Sequence, residues 1–281
     1  MPLDPEYLRS LKSQEHDAVI NERDAMLYAV SLGLGADPLD EGELRYTYEK
    51  DLKVFPTMAV LFGSSSWLED PRSGITLANI VHGSERVEVL GQLVPGRPML
   101  VREGILGILD KGEKGAVVVT ERSLVDKASG DVIARIESQL FCRADGNFGG
   151  SIGAAPEFRA LPERAPDRSV DVPIEPSRAL LYRLNGDRNP LHCDPAFARA
   201  VGFDRPILHR LCTFGVTAVA LARAFPGKSL RMIEARMARP VMPGCVLTVD
   251  IWDAGGDQGN VAFRVRVGPD VVLDRGGAVL S

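Results

Sequence analysis

Cysteine and histidine are scarce in this chain, with four of each in 281 residues. Cys142, Cys193, Cys212 and Cys245 show no CxxC spacing, so neither a disulfide framework nor a zinc site is expected, only reduced, partly buried thiols. No apolar stretch reaches the ~18 residues that span a bilayer. The opening MPLDPEYLRSLKSQEHD lacks the charged-then-apolar order of a secretory signal. Lys and Arg form no run and the formal charge is −5, which argues against nucleic acid and membrane partners. The final GGAVLS is not a peroxisomal address, and a soluble cytoplasmic protein is the expectation. What remains is ordinary globular composition, 45% apolar and 25% charged, with length for one large or two medium domains.

An internal repeat organises the chain. AMLY at 25–28 returns as ALLY at 179–182, and LVPGRPMLV at 93–101 returns as VMPGCVLTV at 241–249. Keeping the first spacing, about 154 residues, sets FPTMAVLFG from Phe55 against HRLCTFGVT from His209. Each half therefore reads as helix, loop, helix and then strands. In the second half, 177–185 and 195–201 are short helical patterns, and 207–225 is apolar nearly all round, as a helix enclosed by other elements should be. SLRMIEARMAR, VLTVDIWDA, VAFRVRV and VVLDRGGAVL follow as β-branched runs, separated by Pro-Gly, Gly-Gly and Gly-Pro turns. The first half carries RVEVLGQLV, PMLVREGILGILDKG, GAVVVTERSLVD and DVIARIESQLFCRA. This is an α+β arrangement, an antiparallel sheet curling around a helix in each half. The expected boundaries are 1–150, a Gly- and Pro-rich linker at 151–176, and 177–281. GNFGGSIG, at the edge of that linker, is followed by prolines rather than by a helix, so it lacks the setting of a nucleotide loop.

The densest chemistry lies in YRLNGDRNPLHCDP, residues 182–195. Gly-Asp and Asn-Pro make a tight loop, in which Asp187 and His192 converge as a proton-handling pair and Asn189 fixes the carboxylate's direction. The plainer alternative makes Asp187 a helix cap, Asn189 a local turn bond and His192 a satisfied polar residue. The long helix starts near PILHRL, and free N–H groups at a helix start stabilise a developing oxyanion such as that of a thioester enolate.

YRLNGDRNPLHCDPAFARAVGFDRPILHRLCTFG resembles the MaoC-like (R)-specific enoyl-CoA hydratases, the hydratase 2 family. The motif appears as Tyr182 with Asn185, Gly186, Asp187, Arg188, Asn189, Pro190, Leu191 and His192, and RDAMLYAVSLG, FGGS and GGAVL extend the likeness over nearly the whole chain. The resemblance implies a double hot-dog fold. Asp187 and His192 would activate the water that adds to a (2E)-enoyl-CoA, giving a (3R)-3-hydroxyacyl-CoA, with Asn189 orienting the pair. No metal or organic cofactor is implied, and a homodimer is favoured although a monomer is physically sufficient. Repeat spacing sets Gly33 opposite Asp187 and Pro38 opposite His192, so residues 1–150 have lost both proton carriers and become the acyl-chain-binding half.

One departure stands out. Relatives read LHGLCTFG where this chain reads LHRLCTFG, placing Arg210 where a glycine N–H binds the thioester oxygen. Arginine keeps the N–H but adds a long side chain at the site's mouth, as an impaired enzyme or one adapted to another acyl group would. His209 is taken as structural, and Arg205, Arg236 and Arg239 are candidates for CoA phosphates against the commoner role of solvated surface charges. Two rivals stand beside hydration: another hot-dog dehydratase or thioesterase, and a non-catalytic acyl-CoA-binding protein.

Overall fold

A computed structural model describes residues 3–11, 14–63, 66–253 and 259–281. Its helices are α1 (Pro5–Ser10), α2 (Glu22–Ser31), α3 (Glu41–Thr47), α4 (Ser66–Glu69), α5 (Arg178–Tyr182), α6 (Pro195–Ala200) and α7 (Arg210–Ala224). No helix among the described residues is long and apolar enough to cross a membrane.

The chain forms two compact units that interleave along the sequence. The first comprises Met1–Ala18, Phe62–Gly91 and Pro98–Glu157; the second comprises Val19–Leu61, Gln92–Arg97 and Phe158–Ser281. By contacts, 19–61 groups with the C-terminal half, so the compact units do not coincide with the repeat boundaries expected from the sequence. Packing explains this, because α2 and the 3-10 turn Pro56–Leu61 lie against α5 and α7.

The first unit holds β1 (Gln14–Ala18), β2 (Ile80–Val89), β3 (Met99–Asp110), β4 (Ala116–Asp126) and β5 (Val132–Cys142), in the antiparallel order β1-β3-β4-β5-β2. One end of this sheet packs Ile108, Ala116, Val118 and Cys142 against Leu3, Leu8 and Trp67. The GNFGGSIG loop folds back here. The backbone N–H groups of Gly112, Asn147 and Gly149 donate to the Asp110 carboxylate, so the anion in this glycine-rich turn is the chain's own. Those bonds hold the Asp110 carboxyl below its usual range.

The second unit holds β6 (Arg168–Pro173), β7 (Leu230–Met237), β8 (Val246–Asp253), β9 (Asn260–Val267) and β10 (Asp270–Leu280), ordered β7-β10-β9-β8-β6 and antiparallel. β6 corrects the expectation of a structureless linker: RSVDVP alternates, and it pairs with β8 as the terminal strand. Pro173 closes it, as a proline can only at a strand's end or edge. The Gly255-Gly256 turn lies outside the described residues.

Helix α7 is buried continuously from Cys212 to Leu221, as its all-round apolar sequence requires. The corresponding first-half helix is only the 3-10 turn Pro56–Leu61, with Phe62 and Gly63 following. Repeat symmetry persists in the backbone nonetheless. Gly96 N–H donates to Ile20 O at 2.8 Å and Gly244 N–H to Ile174 O at 3.0 Å, both glycines having positive φ.

Gly215 lets α2 approach α7. A Cβ built there would lie 2.6 Å from Leu32 Cδ2, and Leu32 is itself buried. Gly215→Ala is therefore expected to cost about 1–3 kcal/mol through overpacking. A urea titration checks it, by a lowered midpoint at unchanged slope.

Candidate active site

Helix α5 ends at Tyr182 and tightens into a 3-10 turn over Arg183–Asn185. Gly186 then adopts φ +123°, a value that disfavours any side chain, and the reversal presents Asp187. Asn189 starts the next 3-10 turn, Pro190–His192, its side-chain oxygen accepting from Leu191 N–H at 3.0 Å. Its backbone N–H, not its side-chain amide, bonds Asp187 Oδ1, at 3.2 Å. The expected orienting contact of Asn189 therefore runs through the main chain, while the side chain caps the turn. Helix α6 is capped by Asp194, leaving Asp187 free of the capping role.

His192 is buried, with Nδ1 2.8 Å from the carbonyl of Ile207. A carbonyl only accepts, so Nδ1 carries the proton and Nε2 of the neutral ring is a bare acceptor. That Nε2 lies 4.0 Å from Asp187 Oδ2, whose side chain is half exposed. Burial is the main cause that lowers the His192 pKa, and Arg183 adds to it; the Ile207 bond and Asp187 oppose.

A third group joins them. His209, immediately before α7, is 2% exposed and stacks on His192, with centroids 3.6 Å apart and planes at 24°. Its Nε2 is 3.4 Å from the backbone oxygen of Asp187 and 4.0 Å from Oδ2. The Tyr182 ring lies 5.0 Å from its centroid. Burial, and then His192, lower the His209 pKa. Sequence reasoning left His209 outside the site; the signal available was that, of four histidines, the C-terminal half holds only these two.

Asp187, His192 and His209 are also, among the described residues, the grouping whose ligand atoms all fall within 4.8 Å of one another. The His209 Nε2–H is directed at a carbonyl, which makes it a donor rather than a metal ligand.

Arg210 is the first residue of α7, where N–H groups find no acceptor inside the helix. Its Nη1 donates to Met237 O at 2.9 Å, tying the guanidinium to the end of β7. Of the three candidate phosphate ligands, Arg205 and Arg236 are exposed, and Arg239 is engaged by Asp270 at 2.5 Å. A cavity of about 320 Å³ opens between Gly33 and Gly35, at the repeat counterpart of the Asp187 loop, and Glu175, Arg178 and Leu181 around the start of α5. There the Arg178 guanidinium bonds the carbonyls of Val30 and Ser31 and the Glu175 carboxylate.

Two sets of five antiparallel strands, one of them with a buried helix whose start meets an Asp–His pair, define a protein of the double hot-dog class. Comparison agrees: residues 19–144 match the family described as MFE-2 hydratase 2 N-terminal domain, and 157–272 match the MaoC like domain. The chain is 38% identical over 274 residues to 3-hydroxyacyl-thioester dehydratase Y of Mycobacterium tuberculosis, covering 91% of each. It is 32% identical over 270 residues to the peroxisomal enoyl-CoA hydratase 2 of Arabidopsis thaliana, covering 89% of this chain and 87% of that protein. The crystal structure of a MaoC-like dehydratase from Phytophthora capsici matches at a TM-score of 0.85 and 30% identity, over 99% of both chains. A Mycobacterium tuberculosis protein of double hot-dog fold, 14% identical with a TM-score of 0.58, shares the fold alone. This chain belongs to the MaoC-like hydratase 2 family.

Proposed function

We propose that this protein reversibly hydrates (2E)-enoyl-CoA thioesters to (3R)-3-hydroxyacyl-CoA, with Asp187 and His192 as its catalytic residues. The carrying observation is the 4.0 Å between Asp187 Oδ2 and His192 Nε2, two acceptors facing one another. Hydrogen bonds of about 2.8 Å from a single water meet across that span at roughly a right angle. The substrate water would then be held by both its hydrogens, with a lone pair free to attack the β carbon. As the C–O bond forms, one carrier takes a water proton and the π electrons move toward the thioester oxygen. The enolate oxygen faces N–H groups at the start of α7, Arg210 first, which stabilise its charge. Collapse of the enolate takes a proton onto the α carbon. With a neutral imidazole and a carboxylate at the outset, that proton is one the water brought, so water adds without net proton exchange.

The names of the relatives fit a single equilibrium, because dehydration of a 3-hydroxyacyl thioester is this reaction in reverse. In the same reading residues 1–150 give room to the acyl chain, having Gly33 and Pro38 where the carriers stood. The protein works as a cytoplasmic homodimer; its four free thiols suit a reducing compartment.

The test follows the loss of conjugated-enoyl absorbance with a medium-chain (2E)-enoyl-CoA. Because the Arg210 side chain is tied to Met237, the unaltered protein is expected to turn over. Arg210→Gly should change kcat less than about fivefold while losing ~1 kcal/mol of stability, the usual cost of glycine in a helix. Turnover by Arg210→Gly alone would mean that the arginine blocks the site. Release of free thiol would instead establish a thioesterase.

A further inference from the structure

We propose that His209 is the positioning residue of the hydration chemistry, one ring that sets Asp187 and His192 in register; this rests on the hydratase reading of that pair. His209 touches both carriers by different means. Its Nε2 donates to the main-chain oxygen of Asp187, which fixes the peptide bearing the carboxylate, and its face lies on the His192 ring. Its own place is fixed from behind by Tyr182 and by the start of α7, where it immediately precedes Arg210. A single residue therefore touches both carriers and adjoins the helix start proposed to receive the thioester oxygen.

Space filling alone does not account for an imidazole here. With Nε2 donating, Nδ1 is a bare acceptor, shut off from solvent and without a hydrogen-bond partner. Leaving such a group buried costs stability, and a phenyl ring would occupy the space without that cost. What the imidazole adds over a phenyl ring is the Nε2–H. The groups facing it are Asp187 from the loop, His192 from the 3-10 turn and Arg183 from the turn after α5.

Two substitutions separate the contacts. His209→Phe keeps a stacking ring and loses the donor; His209→Gln loses the ring and carries an amide N–H where Nε2–H stood. With enoyl-CoA, His209→Phe is expected to lower kcat about 10- to 100-fold, the scale of a misplaced catalytic group. KM should stay within about twofold, since ground-state binding is untouched. His209→Gln should recover most of that loss, to within about fivefold of the parent if the donor sets the geometry. A His209→Phe enzyme at parental kcat, or a Gln variant no better than Phe, overturns the proposal. Imidazole ¹⁵N spectra of the unaltered protein test it without turnover: His209 should carry its proton on Nε2 and His192 on Nδ1, and a proton on His209 Nδ1 overturns it. A parent that hydrates no enoyl-CoA defeats the hydratase reading separately, and the spectra still decide the bond.

Discussion

Asp187→Asn should lower kcat for enoyl-CoA hydration by about 10²–10⁴-fold, the range for loss of a positioned acid–base group. The amide keeps the shape of the side chain and its Oδ1 still accepts the Asn189 N–H at 3.2 Å. The group facing His192 becomes an amide that cannot take a proton. Because the side chain is half exposed, folding should be unaffected, and the melting temperature should match the parent's. A variant within about tenfold of the parent would remove Asp187 from the chemistry.

His192→Gln is the companion prediction. Its loss should again fall in the range of about 10²–10⁴-fold, and the double variant with Asp187→Asn should be little worse than either alone, since the pair acts as a unit. On the proposed mechanism His192 should also set the acid side of the pH profile. A base must be unprotonated to work, so activity is full above its folded pKa and lost as pH falls through it. Burial, with Arg183 assisting, places that pKa below the ordinary imidazole value of about 6.5. Removing the neighbouring charge, as in Arg183→Met, should move the acid limb of kcat/KM to higher pH. An unmoved limb would show that another group controls it.

Much of this was legible because two periodicities are strong. The run at 207–225, apolar nearly all round, reads as an enclosed helix, and the β-branched runs after it became β7 to β10 close to their expected limits. The Asp187 to His192 loop could be read because glycine and proline restrict the backbone there. β6 was hidden by its shortness and by the prolines around it, and β1 by its polar composition, QEHDA, which suits an exposed strand. Phe55 onward mimics the long helix in residue type, yet the chain completes only a 3-10 turn before Gly63. The nearness of His209 to the pair was not legible because it arises from a stack with a ring seventeen positions away, which no local pattern records. The interleaving of the units is tertiary in origin for the same reason.

That interleaving has a meaning for the ancestry of the chain. Leu32 fills the notch at Gly215, Ser31 Oγ accepts from the Asn185 amide, and Glu43 and the Gly33 carbonyl hold Arg223. Residues 19–61 of the first repeat thus complete the packing of the second. A gene fragment encoding 151–281 alone would yield a domain with α7 uncovered on its Leu32 side and with Arg223 deprived of Glu43 and the Gly33 carbonyl. Cut off from 19–61, that fragment is expected to lose the cooperative unfolding of the full chain, because its central helix is completed by residues from before the repeat boundary.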